Sequence, residues 1–132
     1  MHDLLAFLAE RMLEMNKHKQ QEINGFLGWL EGYVGAKVED LTPKTKLQSY
    51  YEHDYEGLMV VLKKNKKKLQ IDPARREPAE ALKAEFEGSM GKLLPLRERI
   101  RKTDELIDAV VYRLYGLTEE EIAIIEGRET LK

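Results

Sequence analysis

Apolar residues fall at helical spacing along nearly the whole chain. Leu4, Leu8, Met12, Met15, Ile23, Phe26, Leu30 and Tyr33 recur at steps of three, four or eight. That spacing puts them on one face of a helix over residues 4–34, about nine turns long. Asp3 suits its N-cap. The stretch NKHKQQE (residues 16–22) is polar on every side and predicts a water-facing middle. Gly25, Gly28 and Gly32 lie close to one stripe, and each costs up to about 1 kcal/mol relative to Ala inside a helix. They predict either a break in the helix or another backbone packed closely against it, and Gly35 is a suitable terminator.

A second helix is predicted over residues 43–69. Thr42 suits its N-cap and Pro43 its first turn, where a missing N–H costs nothing. Its apolar face, Tyr51, Tyr55, Leu58, Leu62, Asn65 and Leu69, alternates steps of four and three, as a coiled-coil seam does. IDPARREP (residues 71–78) then reads as the turn of a helical hairpin. A third apolar row runs from Leu82 through Phe86, Met90, Leu93, Leu96, Ile100, Ile107 and Val110 or Val111 to Leu114. Pro95 sits inside it and predicts a kink or division into helices over 79–94 and 96–115. Residues 107–115 are the most apolar stretch and are expected to be the most buried.

The segment LYGLTEEEIAIIEG (residues 114–127) is dense in helix-boundary signals. Gly116 suits the left-handed residue that ends a helix. Thr118 and Glu121 make a capping box, with Leu117 and Ile122 as the hydrophobic staple around it. Glu119 and Glu120 favour the positive end of a short helix over 119–126, which stops at Gly127. Period-two alternation is nowhere sustained. The predicted fold is all-α: one helical domain over residues 1–132, an elongated hairpin or bundle of long antiparallel helices with a short C-terminal helix.

Composition narrows what such a fold can do. The 132 residues are 42% hydrophobic and 35% charged, enough for a core beneath well-solvated outer faces. The chain has no cysteine, so disulfides and thiolate metal sites are excluded. No apolar run approaches the roughly 20 residues needed to span a bilayer, and the N-terminus has acidic residues inside its apolar stretch and lacks the basic region of a signal peptide. A cytoplasmic protein with no membrane partner is expected. A net charge of −2 means that any affinity for nucleic acid must come from a local patch.

One such patch is the run KKNKKK, with Lys63, Lys64, Lys66, Lys67 and Lys68. It reads as a row of phosphate contacts or, more plainly, as a solvated helix face. Arg97, Arg99 and Arg101 in RERIRK form a second basic cluster that could join the first. Histidines 2, 18 and 53 lack metal-like spacing. The glutamates fall at helix starts or at ion-pair spacing, as Glu98 with Lys102 does. Trp29, Tyr33, Tyr50, Tyr51 and Tyr55 could stack on bases, but helical spacing favours core packing. No Gly-rich phosphate loop is present. An independent enzyme is not expected, and the sequence offers no catalytic, cofactor-binding or metal-ligating residue.

The run TDELIDAVVYRLYGLTEEEIAIIEG (residues 103–127) resembles the C-terminal tail of large adenine-specific DNA methyltransferases, including the fused type IIG restriction–modification enzymes. A pattern I-D-x-x-V-Y-x-L-Y-G-L-T-x-x-E-I-x-I-V-E-G closes that family's polypeptides. Here residues 107–127 follow it in the order Asp108, Tyr112, Tyr115, Gly116, Leu117 and Thr118, with Ile125 in place of Val. LLAFLAERMLEMNK (4–17), GWLEGYVGAKVEDLTPKTKL (28–47) and LLPLRERIRKTDELID (93–108) are more loosely similar to the helices after that family's target-recognition domain. The catalytic N/D-P-P-Y/F tetrapeptide and the S-adenosylmethionine glycine loop are missing, so no catalytic residue or cofactor carries over.

The resemblance implies a helical tail that packs on the methyltransferase or target-recognition part of a parent protein and helps position DNA. Asp108, Tyr112, Tyr115, Leu117, Ile122 and Ile125 would form the docking or core surface, and the lysines and arginines above would touch the DNA backbone. The alternative is a freestanding interaction protein that forms a homodimer through the 51–69 seam.

Overall fold

A computed structural model describes residues 2–127, and its described residues are all-α, as the spacing predicted, with no strand among them. The elements are α1 (His2–Val34), α2 (Lys44–Gln48), α3 (Tyr55–Lys64), α4 (Arg76–Leu114) and α5 (Glu119–Glu126). Short 3₁₀ turns lie at Val38–Asp40, Tyr50–Glu52 and Lys66–Lys68. No helix among the described residues is long and apolar enough to cross a membrane.

α1 begins at His2, so Asp3 lies in its first turn and does not cap it. The helix passes through Gly25, Gly28 and Gly32 without a break, and a Cβ at any of the three would meet nothing within 4 Å. Neither the expected break nor a closely packed backbone explains these glycines. Gly35 does end the helix, at φ 73°, with its N–H bonded to Glu31 O at 3.0 Å. A Cβ there would come within 2.6 Å of the Gln70 side chain, so the position needs glycine for space as well as for backbone angle.

The single helix expected over 43–69 is instead α2 and α3 with turns between and after them. Pro43 is the extended residue before α2, which starts at Lys44. Three short polar side chains divert the backbone from a continuous helix. Ser49 Oγ donates to Thr45 O at 2.7 Å. Asp54, itself extended, accepts from Gly57 N at 2.8 Å and so caps a new helix. Asn65 ends α3 by donating its side-chain amide back to Val61 O at 2.8 Å.

The division expected at Pro95 is also absent, since α4 is one helix of 39 residues. Proline removes one backbone bond, and the acceptor left without it is the carbonyl of Gly91. Gly91, Leu94 and Pro95 are all exposed, so water can serve that carbonyl, while Leu93 beside them is fully buried and anchors the turn. Pro78 lies in the first turn of α4, where its missing N–H is no loss.

The chain forms two compact units: residues 17–97, and the flanking segments before Lys17 and after Arg97. In the first unit, Phe26 of α1 lies against Tyr50 with ring centroids 4.2 Å apart, and Phe86 of α4 meets both rings edge-on. Leu30, Val34, Leu47, Leu62 and Leu82 complete a dry core around them. The predicted seam is spent here: Leu58, Leu62 and Asn65 are buried, and Tyr51, Tyr55 and Leu69 pack against the same cluster. In the second unit the buried apolar residues are Leu8, Met15 and Val110. Residues 107–115, expected to be the most buried, contribute only Val110 to that class.

Candidate functional site

The lysine run is built around Asn65. Its side chain accepts from Thr42 N at 3.1 Å and donates to Thr42 O at 2.8 Å, and with the bond to Val61 O every lone hydrogen of the amide is used. A buried asparagine satisfied in this way clamps the segment before α2 onto the end of α3. Lys68 Nζ reinforces the clamp by donating to Asp40 O at 2.9 Å. Residues 37–46, which carry Lys37, Lys44 and Lys46, thus lie beside Lys63, Lys64, Lys66, Lys67 and Lys68.

All eight of these lysines are exposed. Lys66 pairs with Asp72 at 3.5 Å. The Ala74 N–H, and then the Lys66 charge, hold the Asp72 carboxyl below its ordinary range. Next to this turn, Tyr33, Gln70, Asp72, Arg75, Arg76 and Pro78 line a recess of about 740 Å³ at the start of α4.

Arg97, the arginine of the cluster that shares the lysines' unit, does not join them. Arg97 donates to Tyr51 O at 3.1 Å, and its guanidinium lies 5.0 Å from the Tyr51 ring, which Lys19 approaches at 5.2 Å. From Arg76 to Arg97 is roughly 30 Å of helix at 1.5 Å per residue. Arg101 is held between Glu98 and Glu105, and Arg99 is exposed. Sequence reasoning missed Lys37, Lys44 and Lys46 because the clamp that gathers them spans 23 residues. The polar Asn65 inside an apolar stripe was the one visible signal.

A polar chain runs through the core of the same unit. Tyr50 O–H donates to Ser89 Oγ at 2.6 Å, Ser89 donates to Glu22 Oε2 at 2.8 Å, and Glu22 Oε1 meets Lys92 Nζ at 3.5 Å. Burial pushes the Tyr50 phenol up to about 12, so it stays protonated and remains a donor. Gly25, Gly88 and Lys92 border a cleft of about 370 Å³ over these groups. Chemically the chain satisfies buried hydroxyls and ties α1, α4 and the Tyr50–Glu52 turn together. Among the described residues no group of three His, Asp or Glu side chains is arranged as metal ligands would be.

The expected docking residues lie in the second unit. The capping box forms as predicted: Thr118 Oγ1 accepts from Glu121 N at 3.2 Å, and Thr118 N donates to Glu121 Oε1 at 2.9 Å. Those bonds hold the Glu121 carboxyl below its ordinary range. Gly116 and Gly127 both take positive φ. Tyr112 O–H donates to Glu126 Oε2 at 3.0 Å. Burial, and then the charges of Asp104 and Glu126, raise the Asp108 carboxyl.

The six residues divide by exposure. Asp108, Tyr112, Leu117 and Ile122 are half-buried, whereas Tyr115 is 72% exposed and Ile125 61%. Ile124, which was not among the expected docking residues, is 64% exposed. Its signal was the run I-A-I-I, whose steps of 100° carry apolar side chains right round a helix and leave some without cover. α5 is capped at both ends and has no buried residue.

No curated protein and no solved structure matches the chain. A family model matches residues 2–111, a span that includes the clamp, the lysine turn and most of α4 and stops before Gly116 and α5. With well over half of its length matched, the chain belongs to the family described as Domain of unknown function (DUF8810).

Proposed function

We propose that the chain is a non-catalytic helical module of an adenine-specific DNA methyltransferase of the restriction–modification type. In this reading it packs on the methyltransferase or target-recognition part, helps to hold DNA, and works in the cytoplasm without a cofactor of its own. The observation that carries the docking half is α5: eight residues long, fully capped, and without a buried side chain. A helix that short is marginal by itself and gains its stability from packing. Tyr115, Ile124 and Ile125 present the kind of apolar surface that marks an interaction site. The lysines at 63–68 carry the DNA half, as sequence-independent phosphate contacts. The tail resemblance over residues 103–127 supplies the identity of the partner.

Sequencing the neighbouring reading frame, and co-expressing the chain with any methyltransferase core found there, tests the reading. The two chains should copurify, and Ile124→Asp with Ile125→Asp should separate them while leaving the helical signal of the core unit intact. A locus with no methyltransferase core, or two chains that never associate, would overturn it.

A further inference from the structure

We infer that residues 35–48 and 63–77 form one assembled cationic surface for the phosphate backbone of duplex DNA, with Lys37, Lys44 and Lys46 as contact residues beside the lysine run. The inference rests on the proposed role in DNA modification and adds the residues and the form of nucleic acid. Three observations carry it.

The first is the clamp. Asn65 and Lys68 fix the earlier segment against the later one by three hydrogen bonds, so the two sets of charges belong to one rigid patch. The second is charge. Those two segments hold ten Lys and Arg against four Asp and Glu, a local net of +6 in a chain whose formal net charge is −2. Lys37, Lys44, Lys46, Lys63, Lys64 and Lys67 form no ion pair among the described residues. Crowding so many unpaired cations against one another is self-repulsive, and a dense anion relieves it.

The third is what the surface lacks. None of the large exposed apolar residues of the chain falls in these segments. A bilayer contact would want apolar anchors among the lysines, and a single strand would want exposed aromatics on which bases could stack. Of the aromatics flanking these segments, Tyr33 is half-buried and stacked on Trp29 at 4.9 Å, and Tyr50 is fully buried. Eight of the ten cations are lysines, point charges without the planar fork that reads base edges, and Arg76 is paired with Glu80. Phosphates of a duplex, spaced about 1.7 Å apart along the axis, match such a surface without sequence preference.

The test is fluorescence anisotropy on a labelled duplex of about 20 bp, titrated across roughly 50–300 mM KCl. Six unpaired lysines predict a plot of log affinity against log salt with a slope of about −5. Replacing Lys37, Lys44 and Lys46 together by Gln should make it shallower by about 2.7, and so should replacing Lys63, Lys64 and Lys67. All six side chains are exposed, so both variants should keep the wild-type melting temperature, and Gln at Lys17, Lys83 and Lys102 should leave the slope unchanged. If the 37/44/46 variant keeps the full slope while the 63/64/67 variant loses it, the assembled surface is wrong and the DNA reading stands. If the wild type binds no duplex even at the lowest salt, both fail. Tighter binding to a single strand of equal length, or to phosphatidylserine vesicles, would overturn the duplex assignment alone.

Discussion

Replacing Ser89 by Ala removes the middle of the buried polar chain, and the structure allows the cost to be worked through. The hydroxyl accepts from Tyr50 and donates to Glu22. Tyr50 is 1% exposed, so its O–H would be left without a partner inside the core, at a cost of about 1–3 kcal/mol. Glu22 keeps Lys92 and some access to water, so its loss is smaller. Ser89→Ala should therefore destabilise by about 2–3 kcal/mol. Tyr50→Phe removes one bond and orphans no donor, at about 1 kcal/mol. With both changes made, no phenol remains to be stranded, and the double variant should be more stable than the sum of the singles predicts by about 1–2 kcal/mol. Urea denaturation at pH 7, compared at equal m, measures all four corners of the cycle. Strictly additive effects would mean that the phenol finds another partner in solution and that the chain described here is not formed.

Three further outcomes are expected. Ala at Gly25 or Gly28 should stabilise by about 1 kcal/mol each, because a Cβ meets nothing there and the helix gains propensity; thermal melts decide it, and a loss of stability would mean something packs there after all. Gly35→Ala should instead cost more than about 1 kcal/mol, since it combines positive φ with a clash on Gln70, and an unchanged melting temperature would refute the packing of that turn. Alkaline pH should destabilise through Tyr50: its folded value of about 12 lies above the ordinary phenol near 10, so its contribution is complete below pH 10 and falls away toward pH 12, by about 3 kcal/mol. Tyr50→Phe should flatten that part of the pH profile, and a curve as steep as the wild type's would contradict the assignment.

Helix type and most helix ends were legible in the sequence because they rest on local chemistry. The 3.6-residue rows gave α1 and α4 their faces, and Gly35, Gly116, Thr118, Glu121 and Gly127 act within one turn of where they stand. The errors came where a local rule met a longer-range one. Pro95 should divide a helix, but Leu93 is buried on one side and Gly91 is open to water on the other, so α4 continues. Residues 43–69 have helical period throughout, yet Ser49, Asp54 and Asn65 each offer the backbone a competing bond. The coiled-coil spacing from Tyr51 to Leu69 was real as a stripe, and what it faces is the core of its own unit.

The functional surface was half legible for the same reason. The lysines at 63–68 are contiguous and visible. Lys37, Lys44 and Lys46 join them only through Asn65, a contact that no period announces. Arg97, expected to join them, is committed to Tyr51 at the far end of its unit's share of α4.

Backbone amide chemical shifts of the ¹⁵N-labelled chain, followed while an unlabelled duplex is added at low salt, test the central claim most directly. The account predicts perturbations gathered at residues 35–48 and 63–77, fading as salt rises, with α5 unmoved. Shifts centred on Tyr115, Ile124 and Ile125, or a spectrum that does not change, would contradict it.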